Sequence, residues 1–119
     1  MGGSSDLDLR TCARSDTILE MPPSATISSD TDRVRFAAVG RALSDPKRLC
    51  VLESLAAGEL SVSDLSTRVG CQVPNMSQHL AVLRSAGLVT SRRDGSTIYY
   101  RLADPRILEA YALIQTLAR

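Results

Sequence analysis

The chain is poor in aromatic residues and has no long apolar run. It has 119 residues, with one Phe, three Tyr and no Trp. Its apolar residues are mainly Leu, Val and Ala, which favour packed helices. No run approaches the roughly 18 apolar residues of a membrane-spanning helix, so we expect no membrane partner. The N-terminus lacks the basic and apolar regions of a secretory signal, which favours a cytoplasmic location.

Histidine and cysteine are also scarce, and this argues against several kinds of site. The single histidine, His79, has no second histidine with which to share a metal ion. Cys12, Cys50 and Cys71 are odd in number and widely spaced, so they do not form a disulfide framework. There is no catalytic grouping of Ser, Cys and His and no phosphate-binding loop. We therefore expect a protein that is not an enzyme.

Charge divides the chain into two parts. Residues 1–30 carry two basic and five acidic side chains, a net charge of −3, and are rich in Ser, Thr, Asp, Gly and Pro. This composition predicts a flexible acidic N-terminal tail, within which Met21 is an alternative start. Residues 31–119 carry twelve basic and eight acidic side chains, a net charge of +4. A basic domain is compatible with a polyanionic partner, although an ordinary solvated surface has the same signature.

Apolar periodicity from residue 31 onward predicts five helices. The expected caps and stops are, in chain order, Asp30 or Thr31 before the first helix, Ser44 or Asp45 with Pro46 at the second, Ser61 and Gly70 around the third, Pro74 and Gly87 at the fourth, and Asp104 with Pro105 at the last. The last helix is apolar over such a wide arc that we expect it to be buried or dimeric.

Between the fourth and the last helix the period changes to two. The segments "LVTSRR" and "STIYYRL" predict two short strands joined at Asp94-Gly95. Tyr99 and Tyr100 then point to opposite faces, one towards the core and the other outward. Helix, tight turn, helix and hairpin form the order of a winged helix-turn-helix. The predicted fold class is mostly α with a two-stranded β-hairpin wing, spanning residues 31–119.

The start of the fourth helix and the wing carry residues suited to DNA binding. Our candidates are Gln72, Asn75, Ser77, Gln78 and His79 at the helix start, Arg84 further along it, and Arg92, Arg93, Ser96 and Thr97 in the wing. Short polar side chains at a helix N-terminus can reach base edges in the major groove, and cations bind phosphates. The alternatives are a solvated helix start, a solvated hairpin and an intramolecular salt bridge at Arg84.

Four segments carry a resemblance to a known family. They are "ALSDPKRLCVLESL", "ELSVSDLSTRVG", "NMSQHLAVLRSAGLV" and "RRDGSTIYYRL", within about Arg33–Ala118. Together they resemble the ArsR/SmtB family of bacterial repressors. The resemblance implies a helical homodimer joined through its first and last helices, with winged helix-turn-helix arms. It also implies a double-stranded DNA operator with an inverted repeat, from which an inducer releases the repressor.

The metal sites implied by the resemblance are incomplete. Ser61 and Ser63 occupy positions where thiolate ligands would be expected, and a hydroxyl is a poor ligand for soft ions. On the last helix Asp104 is retained, but Arg106 replaces a histidine and Leu117 falls near the second histidine position. We therefore expect neither of these two sites to bind metal.

The cysteines leave two hypotheses for the release signal. Cys12, Cys50 and Cys71 are candidates for a thiol-dependent sensor of arsenite, a soft metal ion or reactive sulfur. The alternative is a regulator with a non-metal signal and structural cysteines, in which Cys71 is a small buried apolar residue. A protein-binding winged helix that does not bind DNA is the less favoured reading of the fold.

Overall fold

The order of helices and strands is that of a winged helix-turn-helix. The computed structural model describes residues 27–119, so Cys12, Met21 and most of the predicted tail lie outside the described residues. In chain order the elements are α1 (Asp30–Ala42), α2 (Pro46–Ser54), a 3-10 turn (Leu55–Ala57), β1 (Leu60–Ser61), α3 (Val62–Val69), α4 (Val73–Ser85), β2 (Val89–Asp94), β3 (Thr97–Leu102) and α5 (Arg106–Leu117). The predicted fold class is confirmed. Within residues 27–119, no helix combines the length and apolarity of a membrane span.

The inner helices begin and end where the sequence predicts. An Asp45 carboxylate oxygen accepts a hydrogen bond from the Lys47 amide at 2.7 Å, with Pro46 as the first residue of α2. Ser61 Oγ accepts from the Asp64 amide at 3.1 Å at the start of α3. Gly70 closes α3 with φ +78°, a conformation that a side chain would strain. These contacts satisfy amide groups that a helix start leaves without partners.

The outer helices are capped slightly differently from the prediction. Ser29 Oγ accepts from the Asp32 amide at 3.1 Å, so the cap of α1 is Ser29 and not Asp30 or Thr31. At the other end, α5 begins at Arg106 and Pro105 precedes it. Asp104 still caps this helix, because its carboxylate accepts from the Arg106 amide at 2.8 Å. Both differences are one or two residues, within the usual scatter of helix ends.

The core lies where α2, α3 and α4 meet the sheet. Its buried members are Ala42, Val51, Leu52, Leu55, Leu65, Met76, Leu80, Leu83, Leu88, Val89 and Tyr100. Met76, Leu80 and Leu83 are fully buried and recur along one face of α4, as predicted. Burial of each large aliphatic side chain contributes about 1.5–3 kcal/mol. This anchoring turns the polar face of α4 outward.

The sheet has one more strand than predicted, and its turn is shifted. The strand order is β1-β3-β2, all antiparallel, with Leu60 opposite Tyr100. β1 has two residues, too few for any periodic signal in the sequence. Asp94 pairs with Thr97, so the two turn residues are Gly95-Ser96 and not Asp94-Gly95. Gly95 has φ +65°, as the first position of a type II′ hairpin turn requires.

Candidate DNA-binding surface

α3 and α4 are joined by a tight turn that fixes the start of α4. After Gly70, the Cys71 amide donates to the Ser66 carbonyl at 3.1 Å, and Gln72 leads directly into α4. The polar side chains exposed around this start are Gln72, Asn75, Ser77 and Gln78. They lie on the side of the helix away from buried Met76 and Leu80. Four of the predicted contact residues therefore share one exposed surface.

His79 and Arg84 are placed differently from these four. His79 is half-buried, and its Nδ1 lies 3.3 Å from Nη1 of Arg48 on α2. Arg84 is exposed in the last turn of α4. Among residues 27–119 no ion pair is formed by Arg84. The structure therefore gives no support to the intramolecular salt bridge that we weighed for this residue.

The tip of the wing lies beside the start of α4. A groove of about 290 Å³ separates them, lined by Val62, Ser63, Val73, Ser77, Ser96, Thr97 and Ile98. Ser96 and Thr97 thus come close to Ser77, although about 20 residues of chain separate them. Hydroxyl groups on both walls give this groove hydrogen-bonding capacity towards a phosphate or a base edge.

Arg92 is held by an acidic partner. Its guanidinium donates to both carboxylate oxygens of Glu59, at 2.8 and 2.7 Å. It also lies 4.6 Å from the centroid of the Tyr99 ring and 3.9 Å from an Asp94 carboxylate oxygen. The hydrogen bond from Arg92 lowers the pKa of Glu59 from its ordinary value, so the carboxylate stays charged. A phosphate contact by Arg92 would have to compete with this pair.

Arg93 lies on the opposite face of the hairpin. It pairs with Ile98 across the ladder, and directly opposed residues share a face of a sheet. Ile98 lines the groove beside α4, which places Arg93 on the side of the wing that faces α4. Arg93 is exposed, and no ion pair holds it within residues 27–119. Of the two arginines, Arg93 is the one without an ion pair among the described residues.

The described residues do not supply the ligands of the two metal sites that the ArsR/SmtB resemblance implies. Ser61 is buried, and its hydroxyl caps α3. Asp104 receives hydrogen bonds from Arg106 at 2.7 to 3.2 Å, and these lower the pKa of that carboxyl. No group of three or more His, Cys, Asp or Glu residues that could hold a metal ion occurs within residues 27–119. Cys50 and Cys71 are half-buried free thiols.

Two residues that contact the candidate surface were not predicted from the sequence. Glu59 binds Arg92 from 33 residues away, and Arg48 contacts His79 from 31 residues away. Neither residue belongs to the helix start or the wing. The partners in each pair are also far apart along the chain, so no short-range sequence pattern indicates that they meet. The SDPKR segment places Arg48 on α2, but only the packing of α2 against α4 brings it to His79.

Comparison with known proteins places the same elements in a family of regulators. The model for bacterial regulatory proteins of the arsR family matches residues 45–91. The HTH-type transcriptional regulator KmtR of Mycobacterium tuberculosis is 52% identical over 69 residues, 58% of this chain and 53% of that protein. The biofilm growth-associated repressor of Agrobacterium fabrum is 43% identical over 77 residues, 61% of this chain and 66% of that protein.

Solved structures agree with these matches. The homodimeric winged helix-turn-helix DNA-binding domain from Mycobacterium bovis superposes with a TM-score of 0.68 at 36% identity. The match covers 79% of this chain and 90% of that one. The chain spans about half the length of several curated relatives, such as the M. tuberculosis regulator. These relatives are regulators, so the prediction that the chain is not an enzyme is confirmed.

Proposed function

Because this chain belongs to the ArsR family of bacterial regulatory proteins, we propose that it is a sequence-specific transcriptional repressor. It binds double-stranded DNA in the cytoplasm as a homodimer and occupies an operator with an inverted repeat. The observation that carries this proposal is the exposed polar start of α4 beside the wing tip. A basic wing residue, Arg93, completes the surface.

Each part of this surface has a distinct task. The start of α4 enters the major groove, where Asn75 and Gln78 can each bind an adenine through two hydrogen bonds. Gln72, Ser77 and His79 add shorter contacts to bases or phosphates. In the wing, Arg93, Ser96 and Thr97 contact the DNA backbone, and Arg92 joins them only when it leaves Glu59. Arg84 of α4 lies beside the same duplex. Base contacts specify the sequence, and backbone contacts supply affinity.

Exposed apolar residues on the outer helices support the dimer. Phe36 of α1 is 55% exposed, and Leu113 and Leu117 of α5 are 67% and 84% exposed. Large apolar side chains left exposed on both outer helices are typical of surfaces that a protein partner covers. A dimer joined through α1 and α5 has two-fold symmetry, so its two α4 helices read two inverted half-sites.

Selection of binding sites from random duplex DNA tests the proposal. We expect the wild-type protein to enrich an inverted repeat, and Gln78→Ala to lose about 1–3 kcal/mol of discrimination at one base pair of each half-site. Ser85→Ala, an exposed serine at the far end of α4, is the matched control and keeps the preference. If the wild type enriches nothing over random sequence, the winged helix serves a protein partner instead.

The release signal that the cysteines support is a thiol reagent, such as arsenite, a soft metal ion or reactive sulfur. Cys50 and Cys71 are half-buried, and Cys12 lies outside the described residues. Single and triple Cys→Ser variants are titrated on operator DNA with arsenite, Cd²⁺ and persulfide. Loss of release in any variant supports thiol sensing. A triple variant that responds like the wild type points to the alternative, a non-metal signal with structural cysteines.

A further inference from the structure

Arg48 joins three helices through one guanidinium group. Its Nε donates to the Ala42 carbonyl at 2.8 Å and its Nη2 to the Arg41 carbonyl at 3.1 Å. These are carbonyls at the C-terminal end of α1, where a cation is favoured. The third nitrogen, Nη1, lies 3.3 Å from Nδ1 of His79 on α4. The Arg48 side chain is only 13% exposed, so the surrounding packing holds the guanidinium group in place.

The chemistry of this contact selects one tautomer of His79. A guanidinium group has five donors and no acceptor, and it stays charged in proteins. In the hydrogen bond to Arg48, Nδ1 of His79 is therefore the acceptor, which puts the ring proton on Nε2. Asp45, which is also close enough to His79 to interact with it electrostatically, accepts from the Lys47 amide and lies 3.8 Å from Arg48 Nη1.

From these contacts we propose that Arg48 is a positioning residue of the DNA site. It presents the Nε2–H group of His79 on α4 to an acceptor on a base edge, guanine O6 or thymine O4. It also fixes the position of α4 relative to the C-terminal end of α1. This inference deepens the proposed function and rests on it for the part that concerns DNA.

The single histidine makes the first test direct, because only one imidazole contributes to the spectrum. Nitrogen NMR of the DNA-free protein is expected to show one Nε2-protonated tautomer with Nδ1 accepting a hydrogen bond. In Arg48→Ala the nitrogen signals move towards those of a free imidazole with mixed tautomers. Arg48→Lys keeps the positive charge at the end of α1, but one nitrogen cannot reproduce three contacts, so the same change is expected. Lys47→Ala removes a neighbouring exposed charge and keeps the wild-type spectrum.

The second test measures the ratio of operator affinity to random-DNA affinity. Arg48→Ala and Arg48→Lys lower this ratio about tenfold, the size expected when a homodimer loses one neutral hydrogen bond to a base in each half-site. Lys47→Ala lowers both affinities alike and leaves the ratio unchanged. A proton on Nδ1 in the wild type, or Arg48 variants with wild-type nitrogen signals and ratio, would overturn the inference. Absence of operator preference in the wild type would instead overturn the proposed function and leave the NMR test standing.

Discussion

Arg92 and Arg93 are adjacent in sequence, yet we expect different effects when each is changed to Ala. Arg93 lies on the face of the wing that carries Ile98 beside the recognition helix, without an ion-pair partner among residues 27–119. Arg92 is already neutralised by Glu59 through two hydrogen bonds. Arg93→Ala should therefore weaken binding to all DNA, whereas Arg92→Ala should mainly loosen the wing.

The magnitude follows from counterion release. Each phosphate contact adds about 0.9 to the slope of log affinity against log salt concentration. A homodimer loses two contacts in Arg93→Ala, so the slope should become shallower by about 1.8. Between 50 and 200 mM salt the wild type should then lose about tenfold more affinity than this variant. In Arg92→Ala the slope should stay close to that of the wild type.

Neutralising Glu59 should have the effect opposite to that of Arg93→Ala, because it frees a cation for DNA. Glu59→Gln keeps the shape of the side chain and releases Arg92, so the slope should steepen in this variant. The Arg92–Glu59 pair has side chains 53% and 28% exposed, so solvent screens the attraction and the pair should add little to stability. A double-mutant cycle in urea should therefore give a small coupling energy.

The assay is a fluorescence anisotropy titration of labelled operator and random duplexes at four salt concentrations. Arg68→Ala, which removes an exposed arginine from α3, controls for a general loss of positive charge. If Arg92→Ala flattens the slope as much as Arg93→Ala does, Glu59 does not hold Arg92 away from DNA. The assignment of separate tasks to the two arginines would then be wrong.

Three further predictions concern the fold and the dimer. Leu113→Glu, at a position 67% exposed, should yield monomers in sedimentation equilibrium, whereas Gln115→Glu should stay dimeric. Gly95→Ala should cost about 1–2 kcal/mol in urea unfolding, because φ is +65° there, and Gly40→Ala, inside α1, should not. The hydrogen bond to Glu53 raises the pKa of Tyr111 above its ordinary value of 10, so its stabilisation is present below pH 10 and is lost as pH rises through the raised pKa. Tyr111→Phe should therefore be less stable than the wild type at pH 8, and the difference should shrink towards pH 11.

The sequence was most informative where local chemistry decides the structure. Ser61 and Gly70 bound α3 because a capping hydroxyl and a left-handed glycine act within a few residues. Met76 and Leu80 orient α4 because apolar spacing of four residues defines one face of a helix. The exposed start of α4 follows from that orientation, so most of the candidate surface could be predicted.

The remaining features depend on contacts between distant segments. β1 forms only because Leu60 meets Tyr100 of β3, and a two-residue strand leaves no periodic signal. The different roles of Arg92 and Arg93 depend on Glu59, which approaches through the sheet and not through the chain. Two adjacent arginines look equivalent in the sequence. Side chains alternate between the two faces of a strand, but this tells the arginines apart only once it is known which face meets α4 and which meets Glu59.

α2 contacts both outer helices and the helix that carries the candidate DNA-binding residues. Arg48 on α2 holds the end of α1 and His79 of α4, and Glu53 on α2 binds Tyr111 of α5. Five residues separate Arg48 from Glu53, which places them about 140° apart around the helix axis. One side of α2 thus meets α4, which carries the candidate DNA-binding residues, and another meets α5, which carries exposed apolar residues.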